Sequence, residues 1–401
     1  MRKKQRIIDN ALNAITGLFS SFGLLVLLAL LYFIFSSGFK TLSFDLLISD
    51  YYEKVYNTAL TEDIIFRTYD DPNINGAFFS DKWGVAFKDV KNKENEQVVQ
   101  IVYLDQYSPL INMKDPNTDQ YIKISKGQFL EKVFLSNDSG DLIIGIGKEG
   151  AKSVRDTFQN GNVITDLVTT TSGGGIRGSL ITTFYLIILT LIIALPLGIG
   201  AAIYLHEFAK ENKFTNLLRA MIDMTTGIPS IIFGLVGAIV FIPFMNSVIA
   251  SDGGSIASGA LTLTIIILPI IIKTTEEALK VIPRSYRDAS LALGSSETQT
   301  TFKVVLPNAL AGILTATILS IGRIIGESAA LIYAVGTTIK DKVRINERST
   351  SLAVHIWSIM SGENPNFELA SAISIVILII VLLLSMLVKL IGKKLNKFEV
   401  R

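Results

Sequence analysis

Six apolar runs, each near the length that crosses a lipid bilayer, constrain this chain more than any other feature. A hydrocarbon core of about 30 Å takes about 20 apolar residues in a helix. The runs cover residues 15–38, 178–205, 227–249, 257–272, 310–335 and 369–390. Together with a mean hydropathy of +0.46, they predict an all-α polytopic membrane protein with six transmembrane helices, of which the fourth is the shortest.

Charged residues orient these helices, because Lys and Arg flank the cytoplasmic ends of membrane helices. They gather at the start of the chain and in 210–219, 273–303 and 389–401. Both termini are therefore expected in the cytoplasm. The expected regions are a tail and first helix (1–39), an extracellular insert (40–177), a core of five helices (178–391) with a cytoplasmic loop (273–308), and a cytoplasmic tail (392–401). The short connectors 250–256 and 336–368 then also lie outside.

The insert, residues 40–177, differs from the rest of the chain in charge and pattern. It carries 15 Lys and Arg against 20 Asp and Glu, whereas the remainder carries 22 against 15. Short apolar and β-branched runs, such as 97–104 and 141–147, alternate with Asn, Asp, Pro and Gly turns. A segment of this size can bury its own core. We expect a folded α+β domain that ends in a flexible lead, residues 169–178, into the second helix.

Composition disfavours several function classes. The net charge is only +2 and the basic surplus lies at the ends of apolar runs, so nucleic acid is not an expected partner. The absence of cysteine excludes disulfides, thiolate metal sites and cysteine nucleophiles. His206 and His355, the only histidines, are predicted on opposite sides of the membrane, which leaves no metal site for them to share. The sequence lacks a GxxxxGK[ST] loop, so we expect no cofactor on this chain and an energy source in another.

The loop 273–308 is helix-prone and amphipathic, although it connects two membrane helices. Its residues keep the spacing of the signature E-A-A-x3-G-x9-I-x-L-P: Asp288, Ala289, Ser290, Gly294, Val304, Leu306 and Pro307. In this respect the chain resembles the permeases of ABC importers, with Asp for Glu, Ser for the second Ala and Val for Ile. The alternative is an ordinary amphipathic connector.

Three further segments resemble the phosphate permeases, their A-type more than their C-type subunit: GIPSIIFG (227–234), EALKVIPRSYR (277–287) and GRIIGESA (322–329). The resemblance covers about residues 170–340 and does not cover the insert. It implies a permease subunit that moves inorganic phosphate across the bacterial cytoplasmic (plasma) membrane by alternating access. ATP and Mg would bind to separate ABC ATPase subunits, a C-type permease would complete the pore, and an extracellular phosphate-binding protein would deliver the substrate.

The resemblance also implies roles for particular residues. The loop would form a short coupling helix in a cleft of the ATPase, with Gly294 at its sharp turn. The positions expected to couple to the ATPase are Arg287, Asp288, Ala289, Gly294, Leu306 and Pro307. Apart from the resemblance, which does not cover it, the insert is expected to dock the binding protein or the partner permease, because an ordered domain with a negative net charge would lie beside the pore entrance.

Arg323 and Glu327 are the predicted substrate pathway. Both fall inside the fifth run, where an ionised group costs roughly 2.5 to 3.5 kcal/mol on insertion scales, so each should face protein or water. Their spacing of four residues puts them on one helical face, which also permits an ion pair that serves only packing. A guanidinium matches phosphate oxygens, and these residues match the family's Arg and Glu.

Five residues are predicted to let helices pack closely in lipid: Gly227, Pro229, Gly234, Gly322 and Gly326.

Three other functions stay open on the sequence alone. The first is a permease for another oxyanion, such as molybdate or sulfate, with the same loop. The second is a membrane receptor whose insert senses a ligand, which predicts neither an ATPase partner nor transport. The third, a membrane enzyme, is disfavoured because no cluster of His, Ser or carboxylates has catalytic spacing.

Overall fold

A computed structural model describes residues 2–395 except 61–66, 93–95, 117, 119, 138, 172, 252, 363 and 364, and it describes side chains within 12–393. Most of the predicted C-terminal tail, residues 396–401, lies outside the described residues. The chain divides into a membrane unit, Met1–Ile48 with Ile176–Arg401, and an insert unit, Ser49–Gly175. The insert unit is thus somewhat shorter than the predicted 40–177.

The helices are α1 (Arg2–Gly38), α2 (Phe44–Ile48), α3 (Ala151–Asn160), α4 (Arg177–Ile203), α5 (Lys213–Thr225), α6 (Ser230–Val236), α7 (Ile242–Ile249), α8 (Ile256–Val281), α9 (Arg284–Ala292), α10 (Glu297–Thr300), α11 (Leu306–Gly326), α12 (Ala329–Ala334), α13 (Leu352–Met360) and α14 (Phe367–Leu395). π-Helical turns extend α4 over Tyr204–Phe208, join α6 to α7 over Gly237–Phe241, and join α10 to α11 over Thr301–Val305.

Six helices of the described chain are long and apolar enough to cross a membrane: Leu12–Gly38, Arg177–Phe208, Ser230–Ile249, Ile256–Val281, Glu297–Gly326 and Phe367–Lys393. The predicted number of helices is confirmed. The prediction that the fourth is the shortest is wrong, because α8 continues nine residues past Ile272 to Val281. Its extension is stabilised by ion pairs to α5, Lys273–Asp223 at 2.7 Å and Arg219–Glu276 at 3.6 Å.

The core of the membrane unit lies between α4, α8, α11 and α14. Small residues let these helices approach closely, as expected in lipid. A Cβ atom added to Gly198 of α4 would lie 2.6 Å from Ile271 of α8, and one added to Gly312 of α11 would lie 2.1 Å from Ala278 of α8. These contacts make α8 the central element of the unit.

The insert unit is an antiparallel sheet with one packed helix. Its strands are β1 (Val55–Thr58), β2 (Phe78–Ser80), β3 (Val85–Lys91), β4 (Gln97–Leu104), β5 (Met113–Lys114), β6 (Tyr121–Ile122), β7 (Phe129–Ser136), β8 (Leu142–Ile146) and β9 (Val163–Thr170). The order is β1-β9-β7-β4-β3-β2, with β8 paired to β7, and β5 and β6 form a separate pair. The predicted runs 97–104 and 141–147 are confirmed as β4 and β8.

The insert core forms where α3 packs on the sheet. Trp83 and Phe158 are fully buried, their rings are edge-to-face, and the indole Nε1–H of Trp83 donates to the carbonyl oxygen of Phe158 at 2.7 Å. This bond satisfies the one polar atom of the buried indole. The predicted α+β domain therefore has its own core.

The predicted flexible lead into the second helix is not observed. Gly174 N–H donates to the carbonyl oxygen of Tyr51 at 2.7 Å, and Gly175 N–H donates to that of Asp50 at 2.9 Å. A Cβ atom on Gly175 would lie 2.0 Å from the carbonyl oxygen of Ser49. The glycines thus serve close backbone pairing instead of flexibility.

Buried polar side chains join α4 to α13 and to the segment before it. Ser179 Oγ and His355 Nδ1 lie 2.8 Å apart, Thr182 Oγ1 and Ser349 Oγ lie 2.6 Å apart, and all four residues are buried. Burial lowers the pKa of His355 to about 4. The imidazole is therefore neutral in the folded protein at neutral pH.

We expect acid to destabilise the protein through His355. The unfolded chain, with an ordinary histidine pKa of about 6.5, binds more protons than the folded one, so stability is lost as the pH falls from about 6.5 toward 4. Between about pH 7 and pH 5 this amounts to about 2 kcal/mol. His355→Gln should weaken this pH dependence, measured as the thermal unfolding midpoint in detergent. An equal pH slope in both proteins would refute the assignment.

Candidate functional site

The loop predicted to couple to an ATPase is two short helices joined by a tight turn. α8 ends at Val281, α9 follows after Pro283, and Leu293 and Gly294 close α9. Gly294 N–H donates to the carbonyl oxygen of Leu291 at 2.9 Å, and Ser295 N–H donates to that of Ser290 at 3.2 Å. This pair of bonds is a Schellman cap, which requires the left-handed φ of +85° observed at Gly294.

The turn presents apolar side chains beside charged ones. Leu293 is 89% exposed, and Tyr286, Leu291 and Phe302 are also exposed. No described residue outside the turn lies within 4 Å of a Cβ atom built on Gly294. Exposed apolar groups with a polar surround are typical of a protein-binding surface.

The predicted coupling residues differ in where their side chains lie. Asp288, Ala289 and Pro307 are exposed and Leu306 is half-buried. Pro307 follows the π-helical turn Thr301–Val305, where its missing N–H and its ring can be accommodated in a continuous helix. Asp288 and Ala289 therefore lie on α9, and Leu306 and Pro307 lie at the start of α11.

The side chain of Arg287, by contrast, forms hydrogen bonds with other residues of this chain. Its Nε and Nη2 atoms donate to the two carboxylate oxygens of Glu207 at 3.1 and 2.6 Å, and its Nη1 donates to the carbonyl oxygen of Ile282 at 2.9 Å. His206 Nδ1 lies 2.8 Å from the same carboxylate. A bidentate pair fixes orientation as well as distance, so Arg287 holds α9 against the end of the second membrane helix.

Glu207 was missed by the sequence analysis. Its side chain is largely buried at the end of an apolar run, and a carboxylate in that position needs a cation. That requirement is the signal that could have identified Glu207 as a partner of the loop.

The predicted pathway residues lie where the fifth membrane helix breaks. α11 ends at Gly326, Glu327 has an extended backbone, and α12 begins at Ala329. The sequence predicted that Arg323 and Glu327 share one uninterrupted helical face. This prediction is wrong, because the helix ends between them. They are nevertheless paired, with Arg323 Nη2 at 3.2 Å from Glu327 Oε2.

The two members of this pair have different environments. The Glu327 side chain is 3% exposed, and its Oε1 also accepts the N–H of Ala330 at 3.2 Å. The Arg323 side chain is 48% exposed. Glu327 thus satisfies a backbone donor at the start of α12 and pairs with Arg323, whose side chain stays about half exposed.

The five predicted packing residues fall into three groups. A Cβ atom on Gly234 would lie 2.7 Å from Ala330, so α6 and α12 meet at that glycine. Pro229 precedes the first residue of α6, and Gly227 lies in the turn before it. Both residues were predicted inside the third helix, but they lie before it. Around Gly322 and Gly326 no described residue comes within 4 Å of an added Cβ, and their packing role stays a prediction.

Comparisons with known proteins show which family this chain resembles. The family model for the binding-protein-dependent transport system inner membrane component matches residues 194–397. The chain is 33% identical over 241 residues to the probable ABC transporter permease protein YqgI of Bacillus subtilis (strain 168), which covers 56% of this chain and 80% of the relative.

Other known proteins are also similar to parts of this chain. The phosphate transport system permease protein PstA 2 of Mycobacterium tuberculosis is 36% identical over 165 residues, 41% of this chain and 53% of the relative, so this chain spans about half of its length. A solved structure of the MetNI methionine ABC transporter in inward-facing conformations is 24% identical, covering 56% of this chain and 96% of that chain with a TM-score of 0.40.

The family match spans the loop 273–308, the helix break and the last membrane helix. The chain therefore belongs to the binding-protein-dependent transport system inner membrane components and is a multi-pass permease subunit of an ABC importer.

Proposed function

We propose that this chain is the A-type permease subunit of an importer that moves inorganic phosphate across the bacterial cytoplasmic membrane. The observation that carries the proposal is the half-exposed guanidinium of Arg323, held at the break of the fifth helix by buried Glu327. Relatives that are 30 to 36% identical to this chain are named phosphate transport system permeases. Glu327 would keep phosphate from binding too tightly to leave.

The proposal includes partners that other surfaces of the chain can accept. A C-type permease can approach Gly322 and Gly326, whose positions are open in this chain, and the exposed Ile231, Leu235 and Ile239 of the third helix. ABC ATPase subunits, which would bind ATP and Mg, would take the exposed surface around Leu293. An extracellular phosphate-binding protein would deliver the anion.

Alternating access then follows from the way the loop is held. ATP-driven closure of the ATPase pair would move the turn around Gly294, and the bond from Arg287 to Glu207 would pass that movement to the second membrane helix. The pore would switch between inward and outward access while the helix break carries the anion site.

Uptake of radioactive phosphate by vesicles that contain the assembled complex tests the substrate. We expect uptake that requires ATP and the binding protein and that excess sulfate or molybdate does not suppress. Suppression by either anion at equal concentration, with uptake of that anion itself, would replace phosphate by another oxyanion. Absence of any ATPase in the purified complex would favour a receptor.

A further inference from the structure

The connector after α12 carries positive charge on the side of the membrane where Lys and Arg are scarce. Connectors outside the membrane usually hold few such residues. This one, predicted outside, has four cations within nine residues, Lys340, Lys342, Arg344 and Arg348, against Asp341 and Glu347. A charge surplus opposed to the topological bias suggests a binding role.

Part of this connector lines a polar cavity of about 740 Å³. The lining residues are Ala250, Thr338, Lys340, Asn346, Glu347 and Arg348. Four of them carry hydrogen-bond donors and only Ala250 has an apolar side chain. The lining therefore suits a small polar anion and offers no surface for an acyl chain.

The charges in the cavity are not balanced pairwise. Glu347 pairs with Lys340 at 2.8 Å and with Arg344 at 3.3 Å, and the hydrogen bond from Lys340 holds the pKa of Glu347 below its usual range. Arg348 is exposed and forms no ion pair with a described residue. Among the lining residues, Glu347 thus stands beside two cations, Lys340 and Arg348, and the guanidinium of Arg348 is available.

Two glycines make room for Arg348. Gly253 has a φ of +85°, and a Cβ atom there would lie 2.5 Å from Nη2 of Arg348. Gly336 has a φ of +115°, and its Cβ position lies 3.8 Å from the side-chain carbons of Arg348. The guanidinium lies against one glycine and the aliphatic stem against the other, so the residue has a defined position despite its exposure.

We propose that this cavity binds a free tetrahedral oxyanion on the extracellular side of the permease, with Arg348 as its principal ligand and Lys340, Thr338 and Asn346 as further donors. The planar fork of arginine matches two oxygens of such an anion. The inference rests on the proposed function in one respect: the anion is the transported phosphate, bound before it reaches Arg323.

Protection of a single thiol tests the site. Because the natural chain has no cysteine, Ala250→Cys places one thiol in the cavity wall and retains every donor. The assembled complex in phosphatidylcholine vesicles is treated from outside with a charged maleimide, in phosphate or in chloride of matched ionic strength. Phosphate at about ten times its Kd should slow labelling about tenfold. Arg348→Gln in the same protein should abolish this protection.

A matched control uses Lys342, which is exposed and does not line the cavity. Labelling of Lys342→Cys should be indifferent to phosphate, and Lys342→Gln, which removes the same charge as Arg348→Gln, should leave protection of Ala250→Cys intact. Co-purification with the ATPase verifies assembly of each variant.

Three outcomes would overturn the inference: no protection by phosphate, equal protection with and without Arg348, or protection that appears only when anionic phosphatidylglycerol is added to the vesicles. If the complex transports phosphate without protection, the inference fails and the proposed function stands. If phosphate protects the thiol but the complex transports another oxyanion, the site stands and the proposed substrate is wrong.

Discussion

Arg323→Lys is expected to lower phosphate transport about tenfold or more while the complex still assembles in the membrane. Lysine keeps the charge that balances buried Glu327 but cannot present two parallel donors to an oxyanion. A hydrogen bond to a charged group contributes roughly 1.5 to 3 kcal/mol, and each 1.4 kcal/mol is a factor of about ten. Initial uptake rates at equal amounts of purified complex provide the measurement.

The double variant Arg323→Gln with Glu327→Gln separates transport from packing. It removes both charges and leaves an amide oxygen that can still accept the N–H of Ala330. If the pair serves only packing, the double variant should transport like the natural protein. Full transport would therefore remove Arg323 and Glu327 from the substrate pathway.

Gly294→Asp is expected to uncouple ATP hydrolysis from transport, with at least a tenfold loss of uptake and normal insertion. The φ of +85° at Gly294 is strained for any side chain, and an added carboxylate beside Leu293 would be desolvated against a docked partner. Uptake and ATP hydrolysis should be measured on the same preparation. Unchanged uptake would contradict the role assigned to this turn.

Gly294→Asn is the matched control. Asn and Asp have nearly the same shape, and both tolerate left-handed backbone better than other residues. A milder defect in Gly294→Asn than in Gly294→Asp would assign the difference to charge at the contact. Equal defects would assign it to side-chain volume or backbone strain.

Local patterns predicted much of this structure. The strand β4 occupies the predicted residues 97–104, which form a short run rich in apolar and β-branched residues. The resemblance to the permeases of ABC importers implied a turn at Gly294, where the observed φ is +85°. These features depend on neighbours along the chain.

Features that depend on distant contacts were missed. The pairing of Arg287 with Glu207 joins residues 80 positions apart, which periodicity cannot indicate. The helix break at Glu327 was hidden because the apolar run continues through α12, and hydropathy does not distinguish a straight helix from an interrupted one. The end of α8 was placed too early, since its charged extension pairs with α5.

The close pairing at the two ends of the insert unit has an evolutionary consequence. The backbone N–H groups of Gly174 and Gly175 donate hydrogen bonds to the carbonyl oxygens of Tyr51 and Asp50. In the membrane unit, the N–H of the next residue, Ile176, donates to the carbonyl oxygen of Leu46 at 2.8 Å. The insert unit therefore begins and ends at neighbouring positions. Recombination can add or remove such a segment without shifting the register of the helix that follows it. The insert is thus a module that selection can exchange independently of the transport machinery.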